Sequence, residues 1–496
     1  MLEVQSLPFG QIPVGTLVVL VCEDRMIHTD PAIVPLIEAA TGVEEFNGKK
    51  DETLTLFHPD GALVRRAIFF GLGKAATLTG ESFRAGAGKA MGALIRIGLS
   101  EAAIAVPDAV GDAVDSKTVL TGLMEGAVLA NHVFDRYKAE KKKKTLSRVT
   151  FFCPADQEEI ARVLADDIAS VCGATLVARD WVNLPANDKP PFVFAQMIAD
   201  TLASRGLVVD IKDEKWLAEA GFGAMLAVSQ GSTQPPRLVT VDYHPENPTQ
   251  TLVLVGKGVT FDSGGIDIKP ASGMETMKTD MAGAAAVAAT MMALGRLRPS
   301  MRVVGVMPLV ENMPSGTATR PGDVVRAYSG TTIEIGNTDA EGRLILADAM
   351  AWAIDTWHPD LVIDLATLTG ACAIALGESI AGVFSNHTAL SDALVASGNT
   401  TRDRCWAMPL PDDYKELLKS EIADLSNMSS GRYGGAITAA LFLASFVGDT
   451  PWAHIDIAGP ARAQKAGAWC GSGGTGFGVR LLCDFILGLQ EKPLLA

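Results

Sequence analysis

The chain has 496 residues, enough for two or three domains with large cores, so no staple is needed to hold it together. With 57 acidic against 42 basic residues its formal charge is -15, which argues against a general nucleic-acid binder, because phosphate recognition needs clustered positive charge. Seven dispersed cysteines, Cys22, Cys153, Cys172, Cys372, Cys405, Cys470 and Cys483, form no CxxC pair and read as reduced thiols of a cytoplasmic protein.

In chain order, a β-branched run from Thr16 to Val21 predicts a buried strand, followed by a helical pattern from Pro31 and a second strand over Leu63 to Phe70. Gly71-Leu72-Gly73-Lys74-Ala75-Ala76 matches the loose dinucleotide fingerprint. No acid closes a second strand at the required distance, so a strand-exit turn is the better reading. Gly86-Ala87-Gly88-Lys89 lies in an amphipathic helical pattern that begins near Glu81 and lacks P-loop spacing. A strand at Ala102 to Val106, a helix around Val119 to Val133 and a strand at Arg148 to Phe152 complete a first α/β unit, with Lys141 to Lys144 as a solvated linker. Asp156 to Ala178 reads as one long helix with Ile160, Val163, Leu164 and Ile168 on its apolar face. The expected division is an N-terminal domain over 1–155, a connecting helix over 156–184 and a second domain over 185–496. The N-terminus lacks a basic start followed by an apolar stretch, so no secretory signal is expected. The apolar run from Ala436 to Val447 is too short to span a bilayer, and Asp364 interrupts the longer one.

The second domain continues with a helix over Phe192 to Arg205, a strand over Leu207 to Ile211 and a helix over Glu214 to Ala220. A strand from Thr251 to Val255 then runs into Gly256 to Pro270, read as a loop carrying Lys257, Asp262, Asp267 and Lys269. Loops at strand C-termini are where open α/β sheets bind ligands, and charges beside a buried strand require partners. A helix of small residues starts at Asp280, and a strand over Thr331 to Ile335 delivers Asn337-Thr338-Asp339-Ala340-Glu341-Gly342-Arg343-Leu344. If that stretch is extended, Asn337, Asp339, Glu341 and Arg343 share one face. Two adjacent carboxylates repel unless protons or cations separate them, which points to a metal site, although Asp and Glu before a helix also serve as caps. An oxygen-rich set suits hard or borderline divalent ions, and the seven histidines show no HExxH pattern for a thermolysin-like zinc site.

Val255 to Gly265 and Asn337 to Leu344 resemble the two signature stretches of the leucyl aminopeptidase family of cytosolic peptidases. Met277 to Met281, Thr367 to Gly370, Gly435 to Ala440, His454 to Gly459 and Gly474 to Gly478 are similar to further family motifs, so the resemblance covers most of the chain after Asn183. It implies an N-terminal α/β (macro-like) domain and a larger catalytic α/β domain with a mixed central sheet flanked by helices. It also implies a metal-dependent aminopeptidase that removes leucine and other apolar N-terminal residues by a two-metal-activated water.

By the same resemblance, Lys257, Asp262, Asp280, Asp339 and Glu341 hold two divalent ions, zinc or manganese with magnesium as an alternative, and Asp262 and Glu341 bridge them. Lys257 ligates only when neutral, so the cations and burial must lower its pKa. Lys269 stabilises the oxyanion, and Arg343 holds a bicarbonate that serves as general base. Met277, Asn337, Thr367 and Gly370 border the substrate. Peptide substrates and a homohexamer are the implied partners, with no membrane. Asp267 stands where many relatives carry a neutral residue, and is expected to face away from Lys269. The rivals are a two-metal phosphoesterase, a non-catalytic scaffold that keeps the fold, and an added nucleotide site in the N-terminal domain.

Overall fold

The computed structural model describes all residues except 7–13, 60–63, 112–113, 142–143, 204, 432, 493 and 495–496, with only the backbone at Val14. Leu63 and the middle of the lysine run therefore lie outside the described residues. The chain divides into two compact units, Met1–Leu176 with Lys465–Ser472, and Val177–Gln464 with Gly473–Ala496.

The first unit holds strands β1 (Leu2–Ser6) and β2 (Val14–Val21), helix α1 (Val34–Thr41), β3 (Thr53–Phe57), β4 (Val64–Gly71), α2 (Gly80–Arg96), β5 (Glu101–Ala105), α3 (Ser116–Ala130) and β6 (Arg148–Cys153). They form a six-stranded sheet in the order β1-β6-β5-β2-β4-β3, parallel except for β3. Alternation along β2 sends Leu17 and Val19 into one core with Leu36 and Ile37 of α1. Val18 and Leu20 enter the other, with Met91 of α2 and Leu123 of α3. The Gly71 to Ala76 stretch is a strand exit. A Cβ at Gly71 would stand 1.9 Å from the Lys49 carbonyl oxygen, so the glycine serves chain packing.

Helix α4 (Glu158–Asn183) keeps Ile168 and the half-buried Leu164 against the core as expected, but the rest of its buried face differs. Ile160 and Val163 are exposed, whereas Ala161, Ala165, Ile168 and Cys172 are buried. These four follow a spacing of four, three and four residues, the true 3.6-residue stripe, which small alanines conceal from a search for large apolar side chains.

The second unit continues with α5 (Pro191–Ala203), β7 (Val209–Lys212), α6 (Glu214–Ala220), α7 (Gly223–Ser229), β8 (Arg237–Tyr243), β9 (Thr251–Gly256) and β10 (Gly258–Asp262). After a short turn α8 (Ala271–Met274) come α9 (Ala282–Leu297), β11 (Arg302–Asn312), β12 (Val324–Arg326), β13 (Thr332–Glu334), α10 (Gly342–Trp357), β14 (Leu361–Ala366) and α11 (Gly370–Leu376). The chain then runs through β15 (Ala381–Ser385), α12 (Thr388–Thr401), β16 (Cys405–Ala407), β17 (Leu425–Ser426), α13 (Gly435–Ala444), β18 (Trp452–Asp456), β19 (Arg462–Ala463), β20 (Gly473–Gly474) and α14 (Val479–Glu491).

A nine-stranded mixed sheet runs β16-β15-β18-β14-β9-β11-β8-β7, with β10 added against β11. Its centre, β18, β14, β9 and β11, is parallel, and their carboxyl ends open on one edge. Strand β10 was not expected. Its flanking glycines suggested a loop, yet Val259, Thr260 and Phe261 suit a pleated surface, and Gly258 pairs with Leu309.

Helix α9 is buried from Ala282 through Leu294. A Cβ on Gly283 would lie 2.1 Å from the Leu365 carbonyl oxygen, so only glycine lets this helix sit so close to β14. Asp364, the charge within the apolar β14, is fully buried. It is satisfied by His454 Nδ1 at 2.6 Å and by the Trp452 indole N–H, which donates at 2.8 Å.

Candidate metal centre

The site assembles at the carboxyl edge of the parallel strands, entirely within the second unit. The turn after β9 supplies Lys257, and β10 ends on Asp262. Gly264 and Gly265 then turn with φ of 89° and 66°, which non-glycine residues avoid, and bring Lys269 back beside Asp262. A Cβ on Gly264 would come within 3.0 Å of Asp339 Oδ1, so this turn and the acidic loop require each other's closeness. Asp280 precedes α9. Asp339 and Glu341 lie between β13 and α10.

The acidic stretch is not extended. The Asn337 amide oxygen accepts the Asp339 N–H at 2.7 Å, an Asx turn, and Glu341 sits in helical geometry directly before Gly342. Asn and Asp favour turns over strands, which the alternation argument left out. The four polar residues reach the site through a turn and the first turn of α10.

Ligand oxygens of Asp262, Asp280 and Glu341 lie within 4.8 Å of one another, and all three residues are buried. Lys257 Nζ lies 2.8 Å from Asp280 and 2.8 Å from Glu341, and donates to the Thr367 carbonyl oxygen at 2.9 Å. Lys269 Nζ lies 2.8 Å from Asp262 and 2.5 Å from Asp339. The Thr367 hydroxyl donates to Asp280 at 2.7 Å. Asp262 Oδ1 also accepts from Asn312 Nδ2 at 2.8 Å and from the Gly264 N–H at 2.9 Å. Met277 lies half-buried in the 3-10 turn Met277–Thr279, and Gly370 is exposed where α11 begins. Asp267 turns away from Lys269: it accepts from the Thr338 N–H at 2.8 Å, and its own N–H donates to the Thr338 hydroxyl at 2.9 Å.

Crowding of acids sets the titration. Burial, reinforced by Glu341, pushes Asp262 up to about 6. Burial also raises Asp280 well above the usual carboxylate range against the pull of Lys257, and raises Asp339 against the pull of Lys269. Glu341 is lowered instead, because Lys257 and Lys269 together outweigh its burial. Burial alone would lower Lys257, but Asp280, Glu341 and Asp262 outweigh it and raise its pKa; Lys269 is raised in the same way by Asp262 and Glu341. The expected lowering at Lys257 thus requires cations; the protein's own charges do the opposite.

The donor set fits divalent ions. Glu341 Oε2 is buried with no hydrogen-bond partner among the described residues, which is costly for a carboxylate oxygen unless a cation meets it, while Asp280 Oδ2 and Asp339 Oδ1 have the ammonium groups of Lys257 and Lys269 at 2.8 and 2.5 Å. Arg343 is buried, and burial lowers its pKa to about 10. Its Nη1 donates to the Asn427 carbonyl oxygen at 2.6 Å, while Nε has no hydrogen-bond partner among the described residues.

Sequence reasoning assigned no role to Asn312, Asn427 or Asp456. Asp456 accepts from the Thr369 hydroxyl at 2.7 Å and from the N–H groups of Leu368 and Ala458, which fixes the loop carrying Thr367 and Gly370. Its place at the end of an apolar strand was the available signal. Asn427 had none.

Parallel strands that feed buried carboxylates and lysines to one edge define the class: an enzyme of the metal-assisted hydrolytic type. Residues 176–483 match the model of the cytosol aminopeptidase family catalytic domain, and 23–141 match that family's N-terminal domain. A probable cytosol aminopeptidase of Geobacter sp. is 44% identical over 463 residues, 92% of each chain. One from Allorhizobium ampelinum is 42% identical over 498 residues, 99% of each. Among solved structures, the bottromycin maturation enzyme BotP in complex with Mn is similar with a TM-score of 0.86 and 35% identity, covering 96% of this chain and 99% of that one. A tomato leucine aminopeptidase mutant is similar with a TM-score of 0.86 and 32% identity, covering 98% and 96%. This chain belongs to the cytosol aminopeptidase family: it is a metal-dependent aminopeptidase, a peptide hydrolase.

Proposed function

We propose that the enzyme removes N-terminal leucine and other apolar residues from peptides with two divalent ions. The observation that carries this reading is the meeting of Asp262, Asp280 and Glu341 around one space with both lysines. Lys257, Asp262, Asp280, Asp339 and Glu341 would hold the ions. Manganese is the first candidate, since the similar BotP structure is a complex with Mn, and zinc and magnesium are the alternatives. When bound, such ions lower the pKa of water and polarise a carbonyl.

The side chains divide the remaining work. Lys257 is 3% exposed and enclosed by acids and a carbonyl, a position suited to a ligand, whereas Lys269 is 19% exposed and suited to donate to the oxygen that becomes negative as the peptide bond is attacked. Arg343, with a buried Nε lacking a hydrogen-bond partner, suits a planar anion such as bicarbonate, which would accept the proton. Met277, Thr367 and Gly370 border the pocket for the first side chain, and Asn337 the peptide beside it. The acidic cluster favours a free α-amino group, which only the first residue of a peptide offers. We assign the chemistry to 185–496, and a cytoplasmic homohexamer as the working form.

The test uses metal-free protein with Mn²⁺, Zn²⁺ or Mg²⁺ added back. Expected is restored hydrolysis of leucine p-nitroanilide and none of p-nitrophenyl phosphate. Full activity in the metal-free state, or hydrolysis of the phosphate ester alone, would overturn the reading.

A further inference from the structure

Asn427 is completely buried and lies outside every motif named above. Its amide Oδ1 accepts from the N–H groups of Gly336 at 2.8 Å and Asn337 at 3.2 Å. Nδ2 donates to the carbonyl oxygens of Asn337 at 2.8 Å and Ala340 at 3.4 Å. An asparagine side chain has two donor hydrogens and one oxygen with two lone pairs, so its whole hydrogen-bonding capacity is spent on the five-residue loop that contains Asp339 and ends against Glu341. Its main chain holds two further points: the N–H donates to Glu334 at 3.0 Å, and the carbonyl oxygen accepts from Arg343 at 2.6 Å.

Secondary structure explains how it arrives there. Strand β17 pairs in parallel with β13, Ile333 opposite Leu425 and Glu334 opposite Ser426, so the residue after β17 must meet the chain leaving β13. The approach is close: a Cβ at Gly336 would lie 3.3 Å from Met428 Cβ, just inside ordinary contact, and 3.4 Å from Ser426 Oγ.

We infer that Asn427 is a positioning residue that fixes Asp339, Glu341 and Arg343 relative to one another and thereby sets the affinity of the acidic centre for divalent ions. The inference rests on the two-ion reading above. Residues that orient metal ligands from behind typically change affinity or activity by about 10- to 100-fold when replaced.

Two variants test it. Asn427→Ala removes all four amide bonds. Asn427→Asp keeps the size and the acceptor for Gly336 and Asn337 but loses both donated bonds, and it remains informative if the alanine variant does not fold. Asn386→Ala is the control: that amide likewise bridges backbone, accepting from Trp452 at 2.8 Å and donating to Thr450 at 2.9 Å, but it serves β18 rather than the acidic loop. Calorimetric titration of metal-free protein with Mn²⁺ and steady-state kinetics on leucine p-nitroanilide are the measurements. Expected for both Asn427 variants is Mn²⁺ affinity lower by about tenfold or more, with kcat falling further than KM rises, and unchanged Mn²⁺ affinity for Asn386→Ala. Wild-type Mn²⁺ affinity and kcat in Asn427→Asp, while the wild type binds Mn²⁺ and cleaves, would overturn the inference alone. Failure of the wild type to bind any divalent ion would overturn the functional reading instead.

Discussion

Gly342 offers a way to disturb the acidic centre without disturbing the fold. It is the first residue of α10, and a Cβ built on it would stand 2.5 Å from Lys257 Cε, 2.7 Å from Nζ and 2.8 Å from Cδ, where ordinary contact begins at 3.4 Å. In Gly342→Ala the lysine must retreat by about 1 Å, enough to break at least one of its bonds to Asp280, Glu341 or Thr367, now 2.8 to 2.9 Å long. Misplacement of a reacting constellation by about 1 Å costs on the order of 100-fold in rate, equivalent to about 2.7 kcal/mol. The effect on stability is small, because the atoms that must move are the end of a flexible side chain, at about 0.5–1.5 kcal/mol for an off-rotamer torsion. Alanine returns about 0.5–1 kcal/mol of helix propensity. The expected outcome is kcat/KM for leucine p-nitroanilide down by about 100-fold with a Tm within about 4 °C of the wild type. A kcat/KM within threefold of the wild type would refute the argument that the glycine exists to make room for Lys257.

Two further outcomes concern the scaffold. Asp348 in α10 is fully buried and accepts N–H groups of Met225 at 2.9 Å and Tyr328 at 2.8 Å, and burial outweighs these bonds to push it up to about 7 from an ordinary 3.8. Because the folded value lies above the unfolded one, its contribution to stability is complete below about pH 4 and lost as pH rises to about 7. Urea unfolding should therefore find the wild type losing stability over that window relative to Asp348→Asn, and a constant difference would contradict the assignment. Gly283→Ala should cost at least about 3 kcal/mol, or prevent folding, because the new Cβ meets backbone 2.1 Å away and neither α9 nor β14 can yield; thermal melts check it.

How much of this could be read from sequence depended on the kind of signal. The α/β alternation was legible because buried strands and amphipathic helices carry their period in the residue types. The stretches that carry the clustered charges were legible because several charges beside apolar strands are rare and need an explanation. Besides the turn at Asn337 to Glu341, three features were not legible. Strand β10 was hidden by its glycines, which serve close packing against α9 and β11 at Gly256 and Gly258 and the tight turn at Gly264 and Gly265. The buried stripe of α4 was hidden by alanines at Ala161 and Ala165. Asn427 was hidden because its importance lies in a pairing of β17 with β13, 92 residues apart at Ile333 and Leu425, and no local pattern encodes such a meeting.

Helix α9 has no side that faces water, from Ala282 to Leu294. A helix of this kind leaves selection almost nothing to vary, since each position is bounded by neighbouring backbone or core. Its N-terminal approach, by contrast, is open at Ala271, Ser272, Gly273 and Glu275. Substitutions along that approach therefore meet solvent and cost little stability, whereas any enlargement within the helix behind it meets packed neighbours on every side.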